Sequence, residues 1–305
     1  MKKILLVADV DNWAWHYKSV EIKRNLSHKY NIDIVYTSRG TPKYNPSMLN
    51  NYYHIHFFPW YHLGNEELKY KHKLSTSIAS IEFQLTKPDK ARAILPQLKV
   101  VAVSEVIYNL LKNNNLGKEI IPCYNGVNPS KFYPISNRKN PHKFVIGACC
   151  KPASKYDLHG YHLLMNIQNE LSKYTDIECK FHIANYKNAV SHTELLQFYN
   201  SLDLFIHTGN YHLATPNPVF EASACSIPIL ATTNGCIPLL IKNNHNGILI
   251  DIFSKNKLYE FIKHILWFKN NKEQCVNMGK NNYNEILNNW TWKQRSFDWI
   301  KLFET

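Results

Sequence analysis

The stretch LFIHTGNYHLATPNPVFEASACSIPILA, residues 204–231, decides the fold of this chain. Residues 204–207 form an apolar run of strand length, and 208–217 are small and turn-forming. A helix opens near Pro218, a residue suited to the first helical turn, and 228–231 return to an apolar run. Strand, loop, helix and strand in so short a span belong to a parallel sheet with right-handed crossovers.

The same alternation extends in both directions. Upstream, strands are predicted over 4–8, 32–37, 53–58, 99–103 and 120–123, with helices over 13–30 and, capped by Ser104, over 106–112. A polar segment, 129–141, carries Pro134, Asn137, Arg138, Lys139 and Asn140 and reads as a linker. Beyond it come strands over 144–148, 177–184, 204–207, 228–231 and 248–250. Helices are predicted over 162–174, 193–201, 218–225, 258–269 and 272–287, and an aromatic helix over 292–303. The expected architecture is α/β, two doubly wound parallel-sheet domains facing a central cleft, divided at 1–138 and 139–289. Ligands of such sheets bind beyond the carboxyl ends of the strands.

Composition narrows the function. The chain has 305 residues, 45% apolar and 19% charged, which excludes a disordered or fibrous protein. No run approaches the roughly 18 apolar residues of a membrane span, and the apolar start stops at Asp9, too early for a signal peptide. Seven scattered cysteines are expected in a reducing cytoplasm rather than in a disulfide framework. Lys plus Arg number 36 against 23 acids, a net charge of +13. Residues 1–138 hold 19 basic and 10 acidic side chains, +9 of that surplus. Such an excess speaks to partners or to solubility, not to fold.

In the quoted stretch, helix N–H groups and the positive end of the helix dipole make an anion site suited to phosphates. Glu221 is expected in the first helical turn. A carboxylate there would accept hydrogen bonds from a sugar or ribose diol, or simply complement the dipole.

Here the chain resembles glycosyltransferase family 4, retaining nucleotide-sugar enzymes of GT-B fold. The likeness rests on Thr215-Pro216-Asn217-Pro218, on Glu221-Ala222-Ser223-Ala224-Cys225, and on residues 228–232. Gly235, Ile237-Pro238, Asn246-Gly247, residues 198–203 and 124–128 with Phe132 extend it over roughly 100–251. The resemblance implies two Rossmann-like domains, with residues 290–305 packing back on the first. It implies a nucleotide-sugar donor bound by the second domain through Glu221, Thr215, Asn217, Pro218 and Val219, with Glu221 on the ribose hydroxyls. Glu221 matches the second glutamate of the family's motif; the first, which contacts the donor sugar, falls on Leu213, which cannot accept a hydroxyl hydrogen bond. The cations that neutralise the departing diphosphate fall near Lys151 and His159, with Lys155 able to substitute. On the acceptor side stand Asp11 and Trp13. No metal or other cofactor is expected.

Other constellations point elsewhere less well. Asp9-Val10-Asp11 has the spacing of a GT-A metal pair but follows the first strand, where a GT-B protein places a ligand-facing loop. His54 and His56 share a strand face, yet no third zinc ligand has a matching spacing. Cys149 and Cys150 read as packing, and Lys69 to Lys73 as a solvated basic face. No Gly-x-Gly-x-x-Gly follows a strand, and nothing reads as a nucleophile triad.

The expected activity is retaining transfer of a sugar to a hydroxyl acceptor in the cytoplasm. The +9 first half suggests a polyanionic acceptor. A glycan or lipid-linked glycan would bring the protein to the inner membrane surface. DNA carrying a hydroxylated base is the alternative, with Trp13, Trp15 or Trp60 available to stack. A degenerate, non-catalytic sugar-nucleotide binder is the reading that Leu213 raises.

Overall fold

The computed structural model describes residues 1–305 except 82, 83, 85, 136–141, 154, 155, 184–190 and 211–215. It divides into two units, Met1–Gly126 with Trp292–Thr305, and Val127–Thr291. The division expected at 138/139 falls outside the described residues.

In the first unit, β1 (Lys3–Val10) is flanked by β2 (Asn31–Arg39) and β3 (His54–Phe57), followed by β4 (Leu74–Ile78), β5 (Lys99–Ala102) and β6 (Glu119–Pro122). Their order is β2-β1-β3-β4-β5-β6, and every pairing is parallel. Ile4 to Ala8 are wholly buried, as an unbroken apolar run demands of a strand covered on both faces. The order turns back on itself between β1 and β3, which places the ligand crevice at the carboxyl ends of these two strands.

β4 is absent from the sequence expectations because Leu74-Ser75-Thr76-Ser77-Ile78 has a polar middle, and its burial is made possible by partners on β3. His54 Nε2 and His56 Nδ1 both lie 2.8 Å from Ser75 Oγ, His56 Nε2 lies 2.8 Å from Ser77 Oγ, and Thr76 donates to the Phe57 carbonyl at 2.7 Å. Hydroxyl–imidazole pairs satisfy groups that would otherwise forbid this depth. The two histidines thus hold serines, and no group of three His, Cys, Asp or Glu side chains is placed to hold a metal among the described residues.

The helix Trp292–Glu304 packs against the helix Ala14–Leu26 in this unit. Trp299, fully buried, meets His56 edge-on at 5.0 Å and lies beside Phe58, while Phe303 covers Tyr30 and His54. Burial pushes His54 down to about 3 and His56 well below its usual range, so both stay neutral in the folded protein. Unfolding frees them to protonate near 6.5. The stability they contribute is therefore complete above 6.5 and lost as pH falls toward 3. We expect the thermal midpoint to drop through that window, and less steeply in His54→Asn/His56→Asn. Parallel melting curves for wild type and variant would refute the assignment.

The second unit holds β7 (Phe144–Cys150), β8 (Ile177–Ile183), β9 (Leu204–His207), β10 (Ile229–Thr232) and β11 (Gly247–Ile250), in the order β11-β10-β9-β7-β8, again all parallel. Its core is built from Ile146, Leu204, Ile206 and Leu230 of the sheet under Leu164, Ile167, Phe261 and Phe268 of the covering helices. The order reverses between β7 and β9, the two strands that precede Lys151 and the quoted loop. No helix is long and apolar enough to cross a membrane among the described residues.

Candidate active site

The carboxyl ends of β7, β9 and β10 are stitched together by hydrogen bonds. Asp157 receives the N–H groups of Tyr161 and His162 at 2.7 and 3.1 Å, capping the helix Tyr161–Leu171. Asn210, beyond β9, donates to the Asp157 carbonyl at 3.3 Å and to its carboxylate at 3.4 Å. Thr208 Oγ1 donates to the Gly160 carbonyl at 2.9 Å, and Thr232 Oγ1 to the Gly209 carbonyl at 2.7 Å. Two glycines allow this closeness: a Cβ on Gly160 would lie 1.8 Å from the Thr208 carbonyl oxygen, and one on Gly209 2.1 Å from Asn234 Nδ2.

The helix Asn217–Ala224 follows this platform. Glu221 is its fifth residue, one residue further in than expected and so in the second turn, because the helix begins at Asn217 with Pro218 as its second residue. It therefore does not serve the amino end as a capping acid. Its carboxylate is half-buried, and Tyr199, on the helix His192–Asn200, donates its hydroxyl to Oε2 at 2.7 Å. Tyr199 is itself locked among Phe132, Phe198 and Phe205. Burial pushes Glu221 up to about 7, against the lowering effect of the Tyr199 bond. A carboxylate so held is an acceptor positioned before any ligand arrives.

The other expected donor-side residues separate. Asn217 and Pro218 lie half-buried at the helix start. Val219 is fully buried and gives its N–H to the Pro216 carbonyl at 2.9 Å, so its side chain and its N–H are both turned away from a ligand. Lys151 is exposed directly after β7. His159 is half-buried, and burial together with the Lys151 charge brings it down to about 4, so at neutral pH it offers a hydrogen bond rather than the expected positive charge. Lys155, Leu213 and Thr215 lie outside the described residues. Cys149 points its Sγ to the Tyr199 hydroxyl at 3.7 Å, and Cys150 points to the carbonyls of Lys151 and His159; both thiols support the platform.

One residue of the platform escaped the sequence reading. His207, at the end of β9, is buried with no hydrogen-bond partner for Nε2 among the described residues, and burial holds it near 3. It begins the quoted loop, but nothing in its neighbours' identities shows that depth. Asn246 and Gly247 prove structural: Asn246 braces the turn through Lys242 N–H and the Leu240 carbonyl, and a Cβ on Gly247 would lie 2.4 Å from the Ile229 carbonyl oxygen.

In the first unit, Asp11 and Trp13 stand at the carboxyl end of β1. Asp11 Oδ1 lies 2.9 Å from His16 Nδ1, and Trp13 is half-buried at the start of the following helix. Asp9 is buried and accepts the Val10 N–H, so the two aspartates do not form the exposed pair that a metal would need. Lys69 pairs with Glu66, and Lys73 donates to the carbonyls of Leu49 and Tyr52, which accounts for part of the basic segment.

Residues 176–285, within the second unit, match the family model described as glycosyl transferases group 1. A probable sucrose-phosphate synthase of Thermosipho melanesiensis is 27% identical over 59% of this chain and 46% of its own length. An uncharacterised glycosyltransferase of Methanocaldococcus jannaschii is 26% identical over 68% of this chain and 59% of its own. The chain thus spans about half the length of these curated relatives. Among solved structures, the sucrose-phosphate synthase of Thermosynechococcus elongatus superposes with a TM-score of 0.73 at 14% identity, over 100% of this chain and 98% of that one. HepE of Anabaena, in complex with UDP and glucose, superposes at 0.75 and 11% identity over the whole of both chains. The fold is the GT-B fold, two parallel-sheet α/β domains, and its second unit carries the group 1 likeness.

Proposed function

We propose that this chain is a glycosyltransferase that moves a sugar from a nucleotide-sugar donor to a hydroxyl of a glycan or lipid-linked glycan acceptor, with retention and without a metal. The observation that carries the reading is Glu221, half-buried, hydrogen-bonded by Tyr199 and set beside the strand-order reversal, inside the segment that resembles group 1 glycosyltransferases. In this reading Glu221 accepts both ribose hydroxyls of the donor, and Asn217 and Pro218 place the helix start near its diphosphate. Cleavage of the anomeric bond loads charge on the β-phosphate. Lys151, with Lys155, supplies the positive charge, and His159 supplies a hydrogen bond. Rate acceleration then rests on leaving-group stabilisation and positioning rather than on an enzymic nucleophile. Because HepE was solved with UDP-glucose, that donor is the first to test.

Calorimetry with UDP-, GDP- and ADP-linked sugars, followed by a transfer assay, tests the proposal. Heat with none of them would end it. The pH dependence is a sharper criterion. A protonated Glu221 cannot accept two hydroxyls, so donor affinity should fall about tenfold from pH 8 to pH 6 as the group at about 7 takes up its proton. In Tyr199→Phe the bond that lowers Glu221 is gone, and the fall should come at higher pH. An unchanged profile in that variant would remove Glu221 from the ribose site.

A further inference from the structure

The crevice end of the first sheet carries a second set of groups. Tyr61, just beyond β3, is ringed by three basic side chains. Lys90 donates to its carbonyl at 2.7 Å, Lys87 holds its ammonium 4.9 Å from the ring centroid, and His62 is the next residue. His62 Nδ1 is 2.7 Å from Thr37 Oγ1 at the end of β2, which fixes the imidazole and leaves Nε2 facing away from that bond. On the other side, Trp15 stands 6.2 Å from Tyr61 and stacks on Phe58 at 6.5 Å.

Among the described residues no carboxylate is ion-paired with Lys87, Lys90 or His62. The carboxylates that act on them from farther away are already engaged. Asp9, which favours the His62 charge, accepts the Val10 N–H, and Glu67, which favours the Lys90 charge, accepts from Tyr44 and from the Gly64 N–H. Lys87 disfavours the charged forms of both Lys90 and His62. Like charges gathered there, with His62 and Lys87 exposed and Lys90 half-buried, beside indole and phenol rings, disfavour one another until an anion joins them.

We propose that Lys87, Lys90 and His62 form a subsite for one anionic group on a sugar, a phosphate or a carboxylate, whose ring lies against Trp15 and Tyr61. Aromatic faces suit the apolar face of a pyranose, and ammonium groups suit a compact anion. The subsite names the acceptor class for the transfer proposed above and rests on that reading: a charged monosaccharide unit rather than a long polyanion. It also gives part of the basic surplus of the first half a place and a use.

Calorimetry on the full chain tests it with glucose 6-phosphate, glucuronate, inorganic phosphate and glucose, in parallel with UDP-glucose. At least one charged sugar should bind about tenfold or more tighter than glucose, and the better of the two distinguishes phosphate from carboxylate. The double substitution Lys87→Ala/Lys90→Ala should abolish that preference while leaving UDP-glucose binding and the melting temperature unchanged. Lys112→Ala, at a lysine over Tyr108 in the same unit, should change nothing. Equal binding of charged and neutral sugars overturns the subsite. So does inorganic phosphate binding as tightly as the sugar phosphate. Loss of UDP-glucose binding alone would instead strike at the donor site and leave this subsite standing.

Discussion

Glu221→Ala is expected to weaken nucleotide-sugar binding by about 100-fold or more. Two hydroxyl hydrogen bonds to a carboxylate are each worth roughly 1.5–3 kcal/mol, so losing the pair costs affinity on that scale even after water replaces part of it. Glu221→Gln should retain only one good acceptor and fall between alanine and wild type. The same substitution should raise stability. Glu221 in the folded protein takes up its proton at about 7, above the 4.5 usual for an exposed glutamate. Its burden on the fold is therefore absent well below 4.5 and grows as pH rises through about 7. At pH 8, Glu221→Gln should melt higher than wild type; the gap should narrow by pH 5 and close well below pH 4.5. Loss of binding with a gain in stability is the mark of a group kept for a ligand rather than for packing. A glutamine variant that binds donor normally, or that melts lower than wild type at pH 8, would return Glu221 to a structural role.

The second large effect is expected at Gly160. Its backbone has φ of 71°, a conformation that strains any side chain, and the added methyl would meet the Thr208 carbonyl oxygen at 1.8 Å. That oxygen is main chain and cannot rotate aside. Relief requires moving the β7 loop from the end of β9, which would break the Thr208–Gly160 hydrogen bond and disturb Asp157 and Asn210 with it. Gly160→Ala should lose at least about 3 kcal/mol of stability. Any folded fraction should bind donor poorly, because Lys151 and His159 sit on the displaced loop. Gly64→Ala is the fitting control: its Cβ would meet only Glu67 Oε2, at the ordinary contact distance of 3.5 Å. Matching melting temperatures for the two variants would mean that the β7–β9 junction yields easily.

The sequence made visible those elements whose burial is apolar. β9, expected over 204–207, is observed there, and β7 and β10 fall within one or two residues of expectation at most ends, because runs such as Phe144-Val145-Ile146 have no solvated alternative. β4 was invisible because its buried groups are hydroxyls matched by imidazoles 20 residues away, a pairing with no local period. Glu221 is marked as a candidate site residue by its neighbours in the chain, but its place in the second turn depends on where backbone hydrogen bonding begins. The depth of His207 and the neutrality of His159 are set by contacts distant in sequence, as is the gathering of His62, Lys87 and Lys90 around Tyr61. Where the Val219 N–H goes, to the Pro216 carbonyl, is likewise settled by where the helix begins and not by the motif position.

Because Trp292–Glu304 belongs to the first unit, that unit is made from the two ends of the chain, with the second unit lodged between them. A ribosome translating this message must finish the whole second unit before it delivers Trp299 and Phe303, the rings that cover His54, His56 and Tyr30. Residues 1–126 are thus synthesised before the second unit and covered only after it. Until then they wait with an oily, imidazole-lined gap that a chaperone or a neighbouring nascent chain can find. A truncation anywhere before Trp292 would leave that gap open for the lifetime of the protein.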